Sequence, residues 1–340
     1  MLLVERSEVA SRAAVTDLPV DHLRGRVGYA DRLFKAAMFA AAGIVLLVLV
    51  GTAGFLIGQG WPALRHYGFL SFLTSSRWAP SDATPTGTHP NPYGILQFVY
   101  GTAVTSLIGM VIALPVAVAV ALIITEVAPA WMRRPLSYAV DLLAAIPSVV
   151  YGFWGIFALL PALHPIVNFL ISTLGRIPGI GAAFAGPFFG VSYFAAGLVL
   201  AIMVLPIVTA ICREVFATTP VDEKEAARAL GLTRWEMLRT ALLPRSRSGI
   251  VGAGILGLGR AFGETIAVTM VIGNSVLAIT TSIFGQGATM SSVIANEFTE
   301  AVEPFHLQSL FVVAFWLLVI TFVVNVAGRL VVRRTRAGLA

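Results

Sequence analysis

Residues 257–274 read GLGRAFGETIAVTMVIGN, and this apolar run holds one arginine, Arg260, and one glutamate, Glu264. Four residues apart on a helix, they share a face and can pair. An ionised group in a membrane interior costs about 2.5–3.5 kcal/mol on insertion scales, so such residues face a bundle interior or a wet path. A guanidinium presents a planar set of donors that suits the oxygens of an oxyanion, and partial dehydration strengthens the attraction. In a path, Arg260 is the positive point that a passing anion meets. Glu264 then orients it, keeps the empty site near neutral and prevents the passage from becoming a trap. The same spacing equally describes a buried ion pair that locks helix packing, and the two residues alone leave both readings open.

Other candidates are sparser. In AAIPSVVYG, Pro147 removes a backbone donor, so carbonyls near Ala144 and the hydroxyl of Ser148 either face a path or mark a passive kink. Pro115 and Pro206 stand in apolar runs and should kink or break them. Asp141 lies near the end of its run, where it reaches water or pairs with Arg133 or Arg134. The glycines around Arg260 lack the third glycine of a dinucleotide fingerprint, and no Walker sequence occurs, so the chain has no ATP site. Gly259 and Gly263 form a GxxxG pair, whose usual work is close helix approach and which would widen a path beside Arg260. One cysteine, Cys212, and five scattered histidines form no disulfide and no metal-ligand spacing; Cys212 and His306 read as incidental.

The elements that position these residues are membrane helices. Of 340 residues, 57% are hydrophobic and 12% charged, with mean hydropathy +0.87; a soluble chain carries about twice that charge. The net charge of +6 fits basic loops beside a membrane rather than a nucleic-acid partner. Period-two alternation is absent, which disfavours a barrel. Six stretches are long enough to cross lipid: Phe34–Gly58, Leu96–Ile124, Leu136–Leu160, Val191–Ile211, Gly249–Gly273 and Leu310–Val332. Basic residues cluster so that both termini are expected in the cytoplasm. The expected organisation is a cytoplasmic tail at 1–33, a transmembrane domain at 34–334, a large outside loop at 59–94, a cytoplasmic loop at 213–247 and a tail at 335–340. The N-terminal stretch lacks the pattern of a cleaved signal peptide.

The loop between the fourth and fifth stretches contains EAARALGLTRWEMLRTALLP, Glu225 to Pro244. VDEKEAARAL is rich in helix formers, with Pro220 placed to begin the helix and Asp222 and Glu223 at its positive end. Gly231 interrupts it. Thr233 and Glu236 have the spacing of a capping box for a second short helix, which Pro244 should end. The product is a helix–turn–helix knuckle with a shallow face at Ala226 and Ala227, which serves either as a docking element or as a connector.

Glu225, Ala226, Ala227, Gly231, Leu243 and Pro244 resemble, in residue and spacing, the EAA signature of ABC importer permeases; Ala241 departs from the usual isoleucine. Leu142–Leu159, Gly257–Asn274 and Ser291–Ala301 look like the phosphate importer permeases of the PstC type. The resemblance implies an all-α MetI-like fold in the bacterial cytoplasmic membrane and no catalysis in this chain. It implies a coupling helix at the knuckle, seated on a dimer of separate ATP-binding subunits that hold ATP and Mg²⁺. It also implies a PstA-type permease partner, an extracytoplasmic phosphate-binding protein and inorganic phosphate as substrate, with Arg260, Glu264 and Ser148 as candidate path residues. A permease for molybdate or sulfate, or the PstA-type partner itself, would share most of these features. An intramembrane enzyme would need a nucleophile–base pair that Ser148 and Asp141 do not make, and an autonomous transporter or channel has no use for the knuckle.

Overall fold

Crossing lipid requires about 20 apolar residues in a helix, because every backbone polar group must be bonded internally. The computed structural model describes residues 29–80, 92–277 and 279–337, with side chains described as far as Arg333. Five of its helices are long and apolar enough to span, and a bent pair makes six. They are α1 (Tyr29–Tyr67), α3 (Leu96–Val127), α5 (Ser148–Leu174), α6 (Tyr193–Ala217), α11 (Pro304–Ala337) and the pair α8 (Arg234–Phe262) with α9 (Ile266–Ile272). Shorter helices are α2 (Phe69–Thr74), α4 (Ala130–Ala145), α7 (Val221–Ala229) and α10 (Met290–Glu297). No strand occurs among the described residues; two isolated bridges, Trp78–Tyr93 and Gly273–Gly287, are the only extended pairings there.

The described residues fall into two compact units, divided between Gly54 and Phe55. The described part of the first, Tyr29–Gly54, is helical and apolar around its whole circumference, with almost every side chain exposed. Such a helix is at home in lipid or against another membrane protein. In the second unit, α6 is the central element and packs along α3, α4, α8 and α9. The contact of α8 with α6 depends on Gly257: a Cβ there would lie 2.7 Å from Val208 Cγ2 and 2.8 Å from Val204 Cγ1.

Several boundaries differ from the sequence expectation. The expected third span, Leu136–Leu160, is two elements. Pro147 cannot donate to the Leu143 carbonyl and holds Ile146 extended, so α4 stops at Ala145 and a new helix starts at Ser148. The crossing then uses apolar residues as far as Leu174. Pro115 and Pro206, by contrast, sit inside helices that run on past them. The first helix starts five residues inside the expected tail and extends to Tyr67, well into the expected loop at 59–94. The Pro- and Thr-rich tip of that loop, residues 81–91, and the expected tail up to residue 28 lie outside the described residues. The loop expected at 213–247 is largely helix, and α11 runs on into the stretch expected as a C-terminal tail. The fifth span bends by 68° at residues 263–265.

Gly257→Leu should force α8 off α6 and cost about 1–3 kcal/mol, as overpacking does. A lower thermal midpoint of the purified chain in detergent is the expected result; an unchanged midpoint would mean that this crossing does not hold the bundle.

Candidate functional site

The bend in the fifth span creates the site. Arg260 lies in the last turn of α8, and Glu264 falls in the gap before α9. Arg260 Nη2 stands 3.4 Å from Glu264 Oε2. The two partners are unequally placed: the Glu264 side chain is 5% exposed and that of Arg260 52%. One charge is thus anchored in the bundle while the other projects from it. The backbone at the break is held from outside its own helix, since Ser291 Oγ donates to the Glu264 carbonyl at 2.7 Å. Ser291 belongs to α10, whose start is fixed by a Thr289–Ser292 capping box and by the Met290 N–H donating to Thr102 Oγ1 of α3. At the far end of α9, the Ser192 N–H donates to the Val271 carbonyl and the Gly287 N–H to that of Ile272.

The glycine pair beside Arg260 differs from expectation. A Cβ on Gly259 would approach the Asn325 amide at 3.2 Å, but one on Gly263 would meet only its own helix, at 3.9 Å or more. Gly257 carries the close packing, and Gly263 leaves open space next to the arginine. Ser148, at the first position of α5, is half-buried, and among the described residues no hydrogen bond or ion pair ties it to Arg260 or Glu264. The carbonyl freed by Pro147 is that of Leu143, and Tyr151 Oη donates to it at 2.7 Å, so it is already bonded. Asp141 pairs with neither Arg133 nor Arg134; Arg213 Nη2 of α6 donates to its carboxylate at 3.0 Å. Arg133 Nε donates instead to the Ala128 carbonyl.

The knuckle has two parts, as the spacing predicts, but a different exit. Helix α7 ends at Ala229, and Gly231 reverses the chain at φ +80°, a conformation that a side chain strains. Thr233 Oγ1 accepts from the Glu236 N–H while the Thr233 N–H donates to the Glu236 carboxylate. Pro244 does not end the second helix. A π turn at Leu238–Leu242 comes directly before it, where the regular ladder would miss the proline N–H, and α8 continues unbroken to Phe262. Ala227 is buried, whereas Glu225, Ala226, Leu230, Gly231 and Trp235 are exposed; Leu243 and Pro244 are half-buried. Three ion pairs brace this end of the bundle: Lys224–Glu126, Arg245–Glu223 and Arg213–Asp141.

A tie at the opposite end was not apparent from the sequence. Glu297 Oε2 accepts from Trp78 Nε1 at 2.7 Å and lies 2.8 Å from His306 Nε2, and Tyr93 Oη donates to Glu303. Burial, with the Glu303 carboxylate beside it, holds the Tyr93 phenol well above its ordinary range. His306, an incidental residue by sequence, therefore joins α11 to the Glu297 carboxylate at the end of α10, the same carboxylate that holds Trp78. Two residues more than two hundred positions apart carry no local signal of such a contact.

Residues 113–337 match the family described as binding-protein-dependent transport system inner membrane component. The chain is 45% identical over 306 residues to the phosphate transport system permease protein PstC of Xylella fastidiosa strain 9a5c, covering 90% of this chain and 91% of that protein. It is 43% identical over 313 residues to the protein of the same name from Mesorhizobium japonicum, covering 92% and 93%. Among solved structures, a chain of a bacterial alginate ABC transporter superposes with a TM-score of 0.51 at 14% identity, over 91% of this chain and 98% of that one, a likeness of fold alone. The chain belongs to the binding-protein-dependent inner membrane permeases and, within them, to the PstC group.

Thr233→Ala should remove the capping box, a loss of about 1 kcal/mol. Amide hydrogen exchange across residues 234–242 should rise about fivefold; unchanged exchange would mean that the cap does not hold the knuckle.

Proposed function

We propose that this chain is the PstC-type permease subunit of an ATP-driven inorganic phosphate importer, with Arg260 at the anion path. The observation that carries the reading is an arginine more than half exposed, within a membrane-spanning segment, beside a buried glutamate. Lipid tails are a costly neighbour for that guanidinium, so the face that bears it turns towards a second protein or water. A PstA-type permease presenting a similar face would complete the path. Glu264 holds the guanidinium in place and lowers the net charge that an oxyanion meets.

The energy enters from a separate ATP-binding subunit dimer, which holds ATP and Mg²⁺ and grips the knuckle through Leu230, Trp235 and the small face at Ala226. The acids of α7 and the capped turn after Gly231 give that surface a fixed shape. An extracytoplasmic phosphate-binding protein delivers the substrate at the opposite end. Both termini and the knuckle then lie in the cytoplasm, in keeping with the basic residues at that end.

Uptake of radiolabelled phosphate into proteoliposomes containing the assembled complex tests the reading, with binding protein outside and ATP inside. Uptake should require ATP and ignore excess sulfate. Inhibition by sulfate would overturn the substrate, and uptake without ATP would overturn the coupling. Arg260→Gln should lower uptake about tenfold or more, the loss expected for a hydrogen bond to a charged group, in a complex that still assembles. A complex that fails to assemble with this variant would identify the pair as a packing lock.

A further inference from the structure

We propose that the groove between α6, α8 and α11, at the end of the bundle that carries the knuckle, binds an anionic phospholipid. Near their crossing α8 and α11 touch closely, since a Cβ on Gly328 would lie 2.4 Å from Ile255 Cγ2. One turn nearer the knuckle they part, and a Cβ on Gly252 would come no closer than 3.8 Å to Val332 Cγ2. The opening holds about 430 Å³. Its walls are apolar, with Val215, Leu256 and Val332 among them, and Ser248 and Asn325 add hydroxyl and amide groups.

Arg329 and Arg333 stand at the mouth, one turn apart on the same face of α11. Both are exposed, and among the described residues neither forms an ion pair and no carboxylate lines the groove. In the adjoining recess Glu223 is paired with Arg245, and Glu214 lines the same recess. Two uncompensated cations above an apolar slot match a headgroup with net negative charge whose acyl chains run down the walls. A soluble anion has no use for the apolar walls, and a zwitterionic lipid leaves the positive charge unbalanced.

The test uses the assembled complex in nanodiscs of equimolar phosphatidylglycerol and phosphatidylethanolamine, extracted and weighed by native mass spectrometry. Phosphatidylglycerol should be retained in preference, and Arg329→Gln with Arg333→Gln should weaken its retention about tenfold or more. Arg247→Gln, an exposed arginine of α8 outside the groove, should behave as the unaltered chain. Gly252→Leu keeps both arginines but fills the slot, and should also expel the lipid; it serves if the double variant does not assemble. Equal retention of both lipids by the unaltered complex would overturn the proposal, as would no retained phosphatidylglycerol, the result if a helix of the second permease fills the groove. Retention unaffected by the double variant or by Gly252→Leu, or lost equally in Arg247→Gln, would also overturn it.

Discussion

In hydrocarbon an unbonded backbone group costs several kcal/mol, so each interruption of a membrane helix has to be met by a partner from elsewhere in the chain. The two interruptions here, at Pro147 and at residues 263–265, account for much of the architecture. The first is met locally, by the Tyr151 hydroxyl on the Leu143 carbonyl. The second draws in two other segments: the stretch 287–291, through Ser291 at the break and the Gly287 amide at the far end of α9, and the Ser192 amide at that same end. Short α9 is thereby joined to α6 and α10, and the charged pair at the break sits on a backbone fixed from several directions.

That fixed point lies at one end of a long helix whose other end is the knuckle. From the Thr233 cap to Phe262, α8 is unbroken and about 40 Å long at 1.5 Å per residue. The π turn before Pro244 preserves this continuity; a helix that ended at the proline would leave a joint between knuckle and span. A push on the exposed Trp235 surface therefore reaches Arg260 through one helix. Lys224–Glu126 ties the base of the knuckle to α3, Arg245–Glu223 ties α7 to α8, and Arg213–Asp141 joins α6 to α4 at the same end of the bundle.

Composition and apolar length were enough to give an all-helical membrane fold, because lipid leaves few alternatives. The knuckle was also legible: Gly231 and the Thr233–Glu236 spacing act within a few residues, and the chain obeys them. Where the sequence misled, the deciding feature was a local proline in one case and tertiary contacts in the others. Hydropathy treats Leu136–Leu160 as one run, yet Pro147 divides it, whereas Pro115 and Pro206 lie in runs that stay helical. The bend after Arg260 has no proline to announce it. The Arg213–Asp141 pair and the Trp78–Glu297 tie join residues remote in sequence, and the unequal burial of Arg260 and Glu264 follows from a bend that their spacing does not encode. The spacing at Glu225–Pro244 already pointed to the permease family, and the relatives place the chain in it.

The central claim is that the surface bearing Arg260 faces a water-filled path. Gly263 offers a direct probe, since it stands open beside the arginine and a Cβ there would meet no neighbouring helix within 4 Å. Gly263→Cys, in a Cys212→Ser background, would be treated in the assembled complex with a membrane-impermeant charged thiol reagent, with and without trapping of the ATP-bound state. The account predicts labelling at a rate that changes between the two states, because water reaches this position as the path opens. A cysteine that resists the charged reagent in both states, while an apolar thiol reagent modifies it, would place this face in lipid or in sealed packing and contradict the account.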